Sequence, residues 1–472
     1  MRVLLVKPPP VKNSEVENVL EPLELLSLAG ALEGHEVHLC DLRVEAGPFE
    51  RKLRDLAPDL VGFTCLIMDV PAVLAMSRQV REIAPAAVVV VGGHHPTHCP
   101  QDFNVPSIDA IVLGMGEQAL RDILVAAGAG RDFRDVPGLA LPGEGAVHFT
   151  APRHHPASLD ELPFPDRRVP GYRPERYKVF GLMKMQSVNT SRGCTARCKF
   201  CLVWQEMRRV CLHKSAGRIF AEIQRIGPEV PLVGFVDPHS FVDGADRMNE
   251  LAGLIERAGL KKRYVMSLRS SSVVKYPEQI ARWAKLGLSA VSIGLEAITD
   301  SRLAALRKGQ NAQTGDRALR ILADNGIHVI ANFIVSQDFT RADFDQLQRY
   351  VYDNRLQSLR FSILTPLPGS ELWEEVKHLV RSRDPEHYDL LHSVLPTLLP
   401  DREFHREVLM LYRRSYSWRH WLRVTGSHWA FRLGLSKRRV PKLLGAAMVV
   451  YMKYKLAKIQ RNHVAFREAG TA

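Results

Sequence analysis

Short runs of Val, Ile and Leu recur along two stretches of this chain, each run parted from the next by a segment of helical length. In the first 125 residues they are RVLLVK, HEVHLCDL, DLVGFTCL, AVVVVGG and IDAIVLGMG. Strands that alternate with helices pair in parallel and need cover on both faces. The pattern therefore predicts an α/β chain that begins with a doubly wound parallel sheet. Ligands of such sheets sit at the carboxyl ends of the strands, where the Gly- and Pro-rich loops fall here. A second series, LVGFVD, YVMSLRSS, AVSIGLEA, HVIANFIVS and LRFSILTPL, predicts a partial parallel (β/α) barrel. The expected division is a sheet domain over 1–130, a connector over 131–185, a barrel over 186–372 and a helical, basic region over 373–472.

At 472 residues two or three domains are the natural prior, and 46% apolar with 24% charged residues excludes a disordered chain. Seven cysteines are an odd number, and only Val3–Val6 separate Arg2 from Lys7, too short for a signal-peptide core. Metal-binding or catalytic thiols in a reducing cytoplasm are expected rather than disulfides. No stretch reaches the roughly 18 apolar residues of a spanning helix; LLGAAMVVYM at 443–452 comes nearest.

SRGCTARCKFC places Cys194, Cys198 and Cys201 as C-x3-C-x2-C. Three thiolates on one short loop can hold three irons of a [4Fe–4S] cubane and leave the fourth open to substrate. A zinc site completed by His213 also fits the spacing, although zinc sites favour paired C-x2-C units.

The motif resembles the signature of the radical S-adenosylmethionine (SAM) superfamily. That resemblance implies an open iron that chelates SAM, and a deoxyadenosyl radical formed on reduction. It assigns Phe200 to the adenine, Asp237 of FVDPHSF to the methionine amino group, and Ser267 and Arg269 of SLRSS to ribose and carboxylate. Glu296 of SIGLEAITD ends the strand before the SAM-binding helix, and TPLPGS at 365–370 is the last barrel loop. Bland roles as helix caps or rim ion pairs remain open for Asp237, Arg269 and Glu296.

VVVVGGHHPTHCP and IDAIVLGMGEQAL resemble the Rossmann-like cobalamin domain of class B radical SAM methyltransferases. The resemblance implies cobalamin contacts from Thr64, Gly92, Gly93, Gly116 and Glu117. Glycine at 92 and 93 would let backbone press against a large flat ligand. The loop after the first strand, KPPPVKNSE, holds no His, so cobalt should lack a ligand from it. His94, His95 and His98 read as polar loop residues. A tRNA methylthiotransferase would instead hold a second cluster on Cys40, Cys65 and Cys99, yet Cys40 falls mid-strand and no Cys follows the first strand.

Over most of its length the chain resembles the hopanoid C-3 methylases, through LEPLELLSLAGALEGHEVHLCDL, ANFIVSQDFTRADF, FSILTPLPGS and HYDLLHSVLPTLLP. This implies methylation of an unactivated carbon of a lipid by way of methylcobalamin, with flavodoxin or ferredoxin as reductant. The alternatives are a tRNA-modifying methylthiotransferase-like enzyme, a cobalamin radical SAM methylase or cyclase of another natural product or tetrapyrrole, and a non-catalytic metal-binding scaffold. No catalytic acid or base is assigned. Residues 411–472 hold 14 Lys and Arg against Glu468 alone, whereas the rest balances 50 basic with 50 acidic groups. Trp418, Trp421 and Trp429 lie among those charges, which suits contact with the inner face of an anionic membrane; a packed helical subdomain suits them equally, and nucleic acid is the lesser expectation.

Overall fold

Two seven-stranded sheets organise the computed structural model, which describes residues 1–10, 19–45, 47–179 and 183–416. The first contains β1 (Arg2–Lys7), β2 (Glu36–Asp41), β3 (Leu60–Thr64), β4 (Val88–Gly92) and β5 (Ala110–Val112), parallel in the order β2-β1-β3-β4-β5. Period-two alternation along β1 sends Val3 and Leu5 into one core, with Leu25, Leu26 and Ile123, and Leu4 and Val6 into the other, with Phe63, Val73 and Val80. The strand order reverses between β1 and β3, which opens a ligand crevice at their carboxyl ends.

The stretch expected as a connector contributes to both sheets. β6 (Leu139–Leu141) and β7 (His148–Phe149) extend the first sheet with antiparallel pairings. Beyond them Pro170 O accepts from Leu39 N at 2.8 Å, and Asp166 N donates to Leu26 O at 2.9 Å. Phe164 lies between the guanidinium groups of Arg218 and Arg225, at 3.4 and 3.5 Å from its ring centre. Buried Glu21 accepts from Arg167 (2.8 Å), Tyr172 (2.5 Å) and Ser187 N (2.6 Å), and so joins the helix Leu23–Ala31, the connector and the barrel. Beyond β7 single contacts rather than ladders hold the chain, which is why that part shows no periodicity.

β8 (Lys178–Val179) runs antiparallel to β9 (Met183–Val188). β9 starts the barrel before residue 186, and polar Lys184 and Gln186 hide it in the sequence. β10 (Ser191–Arg192) and β11 (Leu212–His213) form a separate small ladder. β12 (Leu232–Phe235), β13 (Arg263–Leu268), β14 (Leu288–Glu296), β15 (His328–Val335) and β16 (Ser358–Ile363) complete the order β16-β15-β14-β13-β12-β9-β8. β16 and β8 do not pair with each other, so the barrel is partial. Tyr264, Met266, Val291, Ile293 and Phe361 pack outward under helices, whereas the alternate residues Ser267, Ser292 and Asn332 stay partly exposed on the inner face.

The helix Asp401–Ser415 closes the free edge of β16. The Tyr412 hydroxyl accepts from Phe361 N (2.9 Å) and donates to Phe361 O (3.1 Å), and Tyr416 does the same at Leu359 (2.9 and 3.1 Å). An unpaired edge invites a foreign strand, and two tyrosines one helical turn apart occupy it here. Residues 411–416, assigned to the basic tail from sequence, thus belong to the barrel. Most of residues 377–400 is irregular rather than helical, and residues 417–472 lie outside those described. No helix among the described residues is long and apolar enough to cross a membrane.

Replacing Tyr412 with Phe orphans the N–H and C=O of buried Phe361. It should cost about 1–3 kcal/mol in chemical denaturation, and an unchanged midpoint would show that water replaces the hydroxyl.

Candidate functional site

Cys194, Cys198 and Cys201 lie on the loop between β10 and the short helix Val203–Glu206. All three are free thiols; Cys198 is buried and the other two are half-buried. The loop is pinned from several sides. Asp237, just beyond β12, accepts from Thr190 N (2.5 Å), Thr190 Oγ1 (2.6 Å) and Ser191 N (3.0 Å). Burial lifts its carboxyl above the usual range, against the pull of those donors. Trp204 Nε1 donates to Cys198 O at 3.0 Å, Lys199 N to Leu306 O at 3.2 Å, and Leu372 N to Lys199 O at 3.0 Å.

Arg269 Nη1 stands 3.8 Å from Cys198 Sγ, and its Nη2 donates to Lys308 O. Lys308 Nζ in turn reaches Glu296 Oε1 at 2.7 Å, both side chains being buried. Glu296 has a φ of +61° at a break in the β14–β15 register, and its carboxylate folds back over Gly294 into the space a Cβ would fill. Strain of this kind persists where surroundings over-determine it, commonly at ligand sites. Ser267 lies on the inner face of β13, and Phe200 sits partly exposed between two of the cysteines.

Two pairs cross from the first sheet to the flanks of the cysteine loop. Glu117 opens the helix Gly116–Gly128 after β5 and takes Arg192 Nη1 at 3.0 Å and Nη2 at 2.5 Å. Burial works against its ionisation, yet the Arg192 charge, the hydrogen bonds to the carboxylate and the Lys214 charge together outweigh burial and hold the carboxyl below its usual range. His94, after β4, meets Glu206 at 2.5 Å, and that hydrogen bond raises the imidazole above its ordinary value. Arg192 and Glu206 therefore flank the cysteines, and loops of the other sheet grip both.

The donor sets fit the implied groups. Tetrahedral zinc would draw sulfurs to about 3.8 Å of one another. Among the described residues the three cluster thiols are not gathered within 4.8 Å, which suits a wider cubane. Burial and the neighbouring thiols Cys198 and Cys194 push the Cys201 thiol up to about 11, a cost that bound iron would reverse. Ser187 Oγ, Asn189 Oδ1, Ser191 Oγ and Ser240 Oγ are buried without a hydrogen-bond partner among the described residues, at the carboxyl ends of β9 and β12. Unsatisfied atoms so concentrated fit a polar ligand such as SAM.

The first sheet fits a large ligand at its carboxyl edge. Gly114 has φ +79° and open space where a Cβ would sit, Leu66 is 38% exposed, and His98 Nε2 is buried without a partner. Thr64 ends β3 and is partly exposed. Gly93 (φ +112°) owes its glycine to the chain itself, since a Cβ would meet Cys65 O at 2.9 Å, and Gly116 packs against Leu28. Gly92 has ordinary space, its Cβ position lying 3.5 Å from Val112.

Cys40 and Cys65 are separated by β1, about two strand spacings or ~10 Å apart, and burial pushes the Cys40 thiol up to about 12. That spacing does not gather them for a second cluster. His95, Cys99 and Asp102 do bring donor atoms within 4.8 Å, but a 2.7 Å His95–Asp102 bond already satisfies two of them. Lys308, Trp204 and the two cross-sheet pairs were missed in the sequence; Arg192 and Glu117 stood within the quoted motifs without a sign that they meet.

Residues 11–124 match the family described as B12 binding domain, and residues 188–351 the Radical SAM superfamily. The chain is 30% identical over 443 residues to the hopanoid C-3 methylase of Methylococcus capsulatus, covering 91% of this chain and 84% of that protein. Its fold is similar to that of the radical SAM methyltransferase TsrM from Kitasatospora setae, solved with cobalamin and a [4Fe–4S] cluster (TM-score 0.68, 19% identity, 86% of this chain and 81% of that one). It is also similar to that of the radical enzyme OxsB, solved with aqua-cobalamin and SAM (TM-score 0.70, 16% identity, 100% and 81%).

Glu117→Gln strands the Arg192 charge and should destabilise the chain by about 2–3 kcal/mol. Adding Arg192→Gln should recover part of that loss in denaturation midpoints, whereas additive losses would mean the two groups do not couple.

Proposed function

The chain belongs to the cobalamin-dependent radical SAM methyltransferases, and on that premise we propose that it methylates an unactivated carbon of a hopanoid lipid. Its cofactors are a [4Fe–4S] cluster, SAM and cobalamin. The observation that carries the substrate reading is the 30% identity to hopanoid C-3 methylase across nearly the whole of both chains. Apolar Leu66, Val236 and Leu390, each 37–41% exposed, lie just beyond β3, just beyond β12 and against the end of β16, and a hydrocarbon substrate would cover such surface.

Cys194, Cys198 and Cys201 would hold the cluster, and Asp237 and Trp204 keep their loop in shape. Bound here, the cofactors supply a deoxyadenosyl radical for hydrogen abstraction and a cobalt-borne methyl group. Arg269 places its guanidinium beside the Cys198 sulfur. Phe200, Asp237, Ser267, Arg269 and Glu296 are the candidate SAM contacts, with Lys308 holding Glu296 in place. Thr64, Gly92, Gly93 and Gly116 line the edge offered to cobalamin. Both carboxylate oxygens of Glu117 are engaged by Arg192, so its part is to hold the two sheets together.

The basic, Trp-containing residues 417–472 suit an anionic bilayer, the natural source of a hopanoid. Cutting after Tyr416, which spares the helix on β16, should lower binding to phosphatidylglycerol vesicles at low salt; unchanged binding would remove the membrane argument.

Reconstitution without air should give about four irons and one corrinoid per chain. With a hopanoid, SAM and reductant, it should yield a methylated product together with deoxyadenosine and S-adenosylhomocysteine. Deoxyadenosine without S-adenosylhomocysteine would point to a rearrangement or cyclisation instead. Cys194→Ala should abolish SAM cleavage and keep corrinoid binding; cleavage that survives would sink the cluster assignment.

A further inference from the structure

The turn after the helix Val203–Glu206 carries Arg208 and Arg209, both exposed and both with positive φ (+48° and +67°). It lies directly on the cysteine loop, since a Cβ on Gly193 would overlap Val210 O and approach the Cys211 α-carbon at 3.2 Å. Arg197, between the first two cysteines, is exposed as well. None of the three has an ion-pair partner among the described residues. The nearby acids are occupied: Glu206 by His94, Glu375 by Lys199 and Glu371 by Arg307. Asp160 and Glu161 accept from the backbone amides of Ser215 and Ser158.

A short path runs inward from this face. The Arg209 guanidinium lies 5.8 Å from the centre of the Trp204 ring, and Trp204 Nε1 donates to the carbonyl of buried Cys198 at 3.0 Å. Two consecutive left-handed arginines are costly for non-glycine residues. Both residues stand exposed beside the loop, with no ion-pair partner among the described residues.

Resting on the reading of Cys194, Cys198 and Cys201 as cluster ligands, we infer that Arg197, Arg208 and Arg209 form the docking face for an acidic one-electron carrier protein. One electron leaves the carrier, which is oxidised by one unit, and enters the cluster, which is reduced by one; no bond is made or broken and no proton moves. Complementary charge accelerates such encounters by factors of about 10 to 1,000 and makes them salt-sensitive. An unpaired arginine face against the cluster loop meets that requirement.

The test uses the full chain with purified flavodoxin as probe. Arg208→Gly/Arg209→Gly removes the charges and suits the left-handed backbone, so it should fold; Arg197→Gln is a second, separate variant. Oxidised flavodoxin should bind the native chain more weakly as salt rises, and the double variant should bind about tenfold more weakly or worse. Flavodoxin-driven SAM cleavage should fall by a similar factor, with dithionite-driven cleavage and the iron count unchanged. Equal flavodoxin binding by both chains, or an equal loss with dithionite, would overturn the inference. Loss of phosphatidylglycerol vesicle binding with flavodoxin binding intact would overturn it too, and would give the face to a lipid surface. A native chain that holds no cluster iron would refute the cluster reading, while the binding arm still reports on the arginine face.

Discussion

Arg192 stands two residues before Cys194, and its guanidinium is taken by both oxygens of Glu117 from the other sheet. A pair whose carboxylate is buried gains little over a well-packed apolar contact, because desolvation offsets the attraction. What it supplies is geometry: two parallel bonds fix direction as well as distance. His94 and Glu206 repeat the contact on the far side of the cysteines. The cluster loop is therefore gripped at both ends by the loops that follow β4 and β5, the edge offered to cobalamin. Displacing either sheet would leave a buried carboxylate or guanidinium unpaired, so the two halves of the chemistry are held in one register.

The barrel side meets the loop with a different device. Arg269, Lys308 and Glu296 form a chain from the Cys198 sulfur to the end of β14. Glu296 turns its carboxylate over Gly294 only because position 294 has no Cβ and position 296 accepts a left-handed backbone. Asp237 is committed to the Thr190 and Ser191 backbone, so its first task is to shape the loop. The orphaned hydroxyls of Ser187, Ser191 and Ser240 mark the space left over. Residues named in sequence as ligand contacts thus divide into those that face open space and those that hold their neighbours.

Both parallel sheets were legible because buried strands such as VVVVG announce themselves by composition alone. The cysteines were legible because their spacing is rare. β9 was hidden by Lys184 and Gln186, and Gln186 is tolerated because the Tyr172 hydroxyl accepts from it at 3.1 Å. The connector was unreadable for a related reason: Glu21, Arg167 and Phe164 act through single contacts between residues far apart in the chain, which leave no period. Arg192 and Glu117 sat inside recognisable motifs, yet their meeting depends on the relative placement of two sheets, and no local pattern encodes that. The basic tail was bounded too early at its start, since Tyr412 and Tyr416 fall within residues 411–472 and in fact satisfy the backbone of β16.

The same edge explains how a partial barrel can stay open. A closed barrel removes its edges by pairing the first strand with the last, at the cost of a narrower mouth. Here β16 stops short of β8, and its outward N–H groups are met by Tyr416 at Leu359, by Tyr412 at Phe361 and by Leu390 O at Ile363. Side-chain hydroxyls and one loop carbonyl thus substitute for a missing strand. Because Leu390 itself belongs to the segment that packs back towards Ile67 of the first sheet, the edge is sealed by the chain that also bridges the two sheets. The backbone of β16 is thus satisfied without exposing a strand that another molecule could extend.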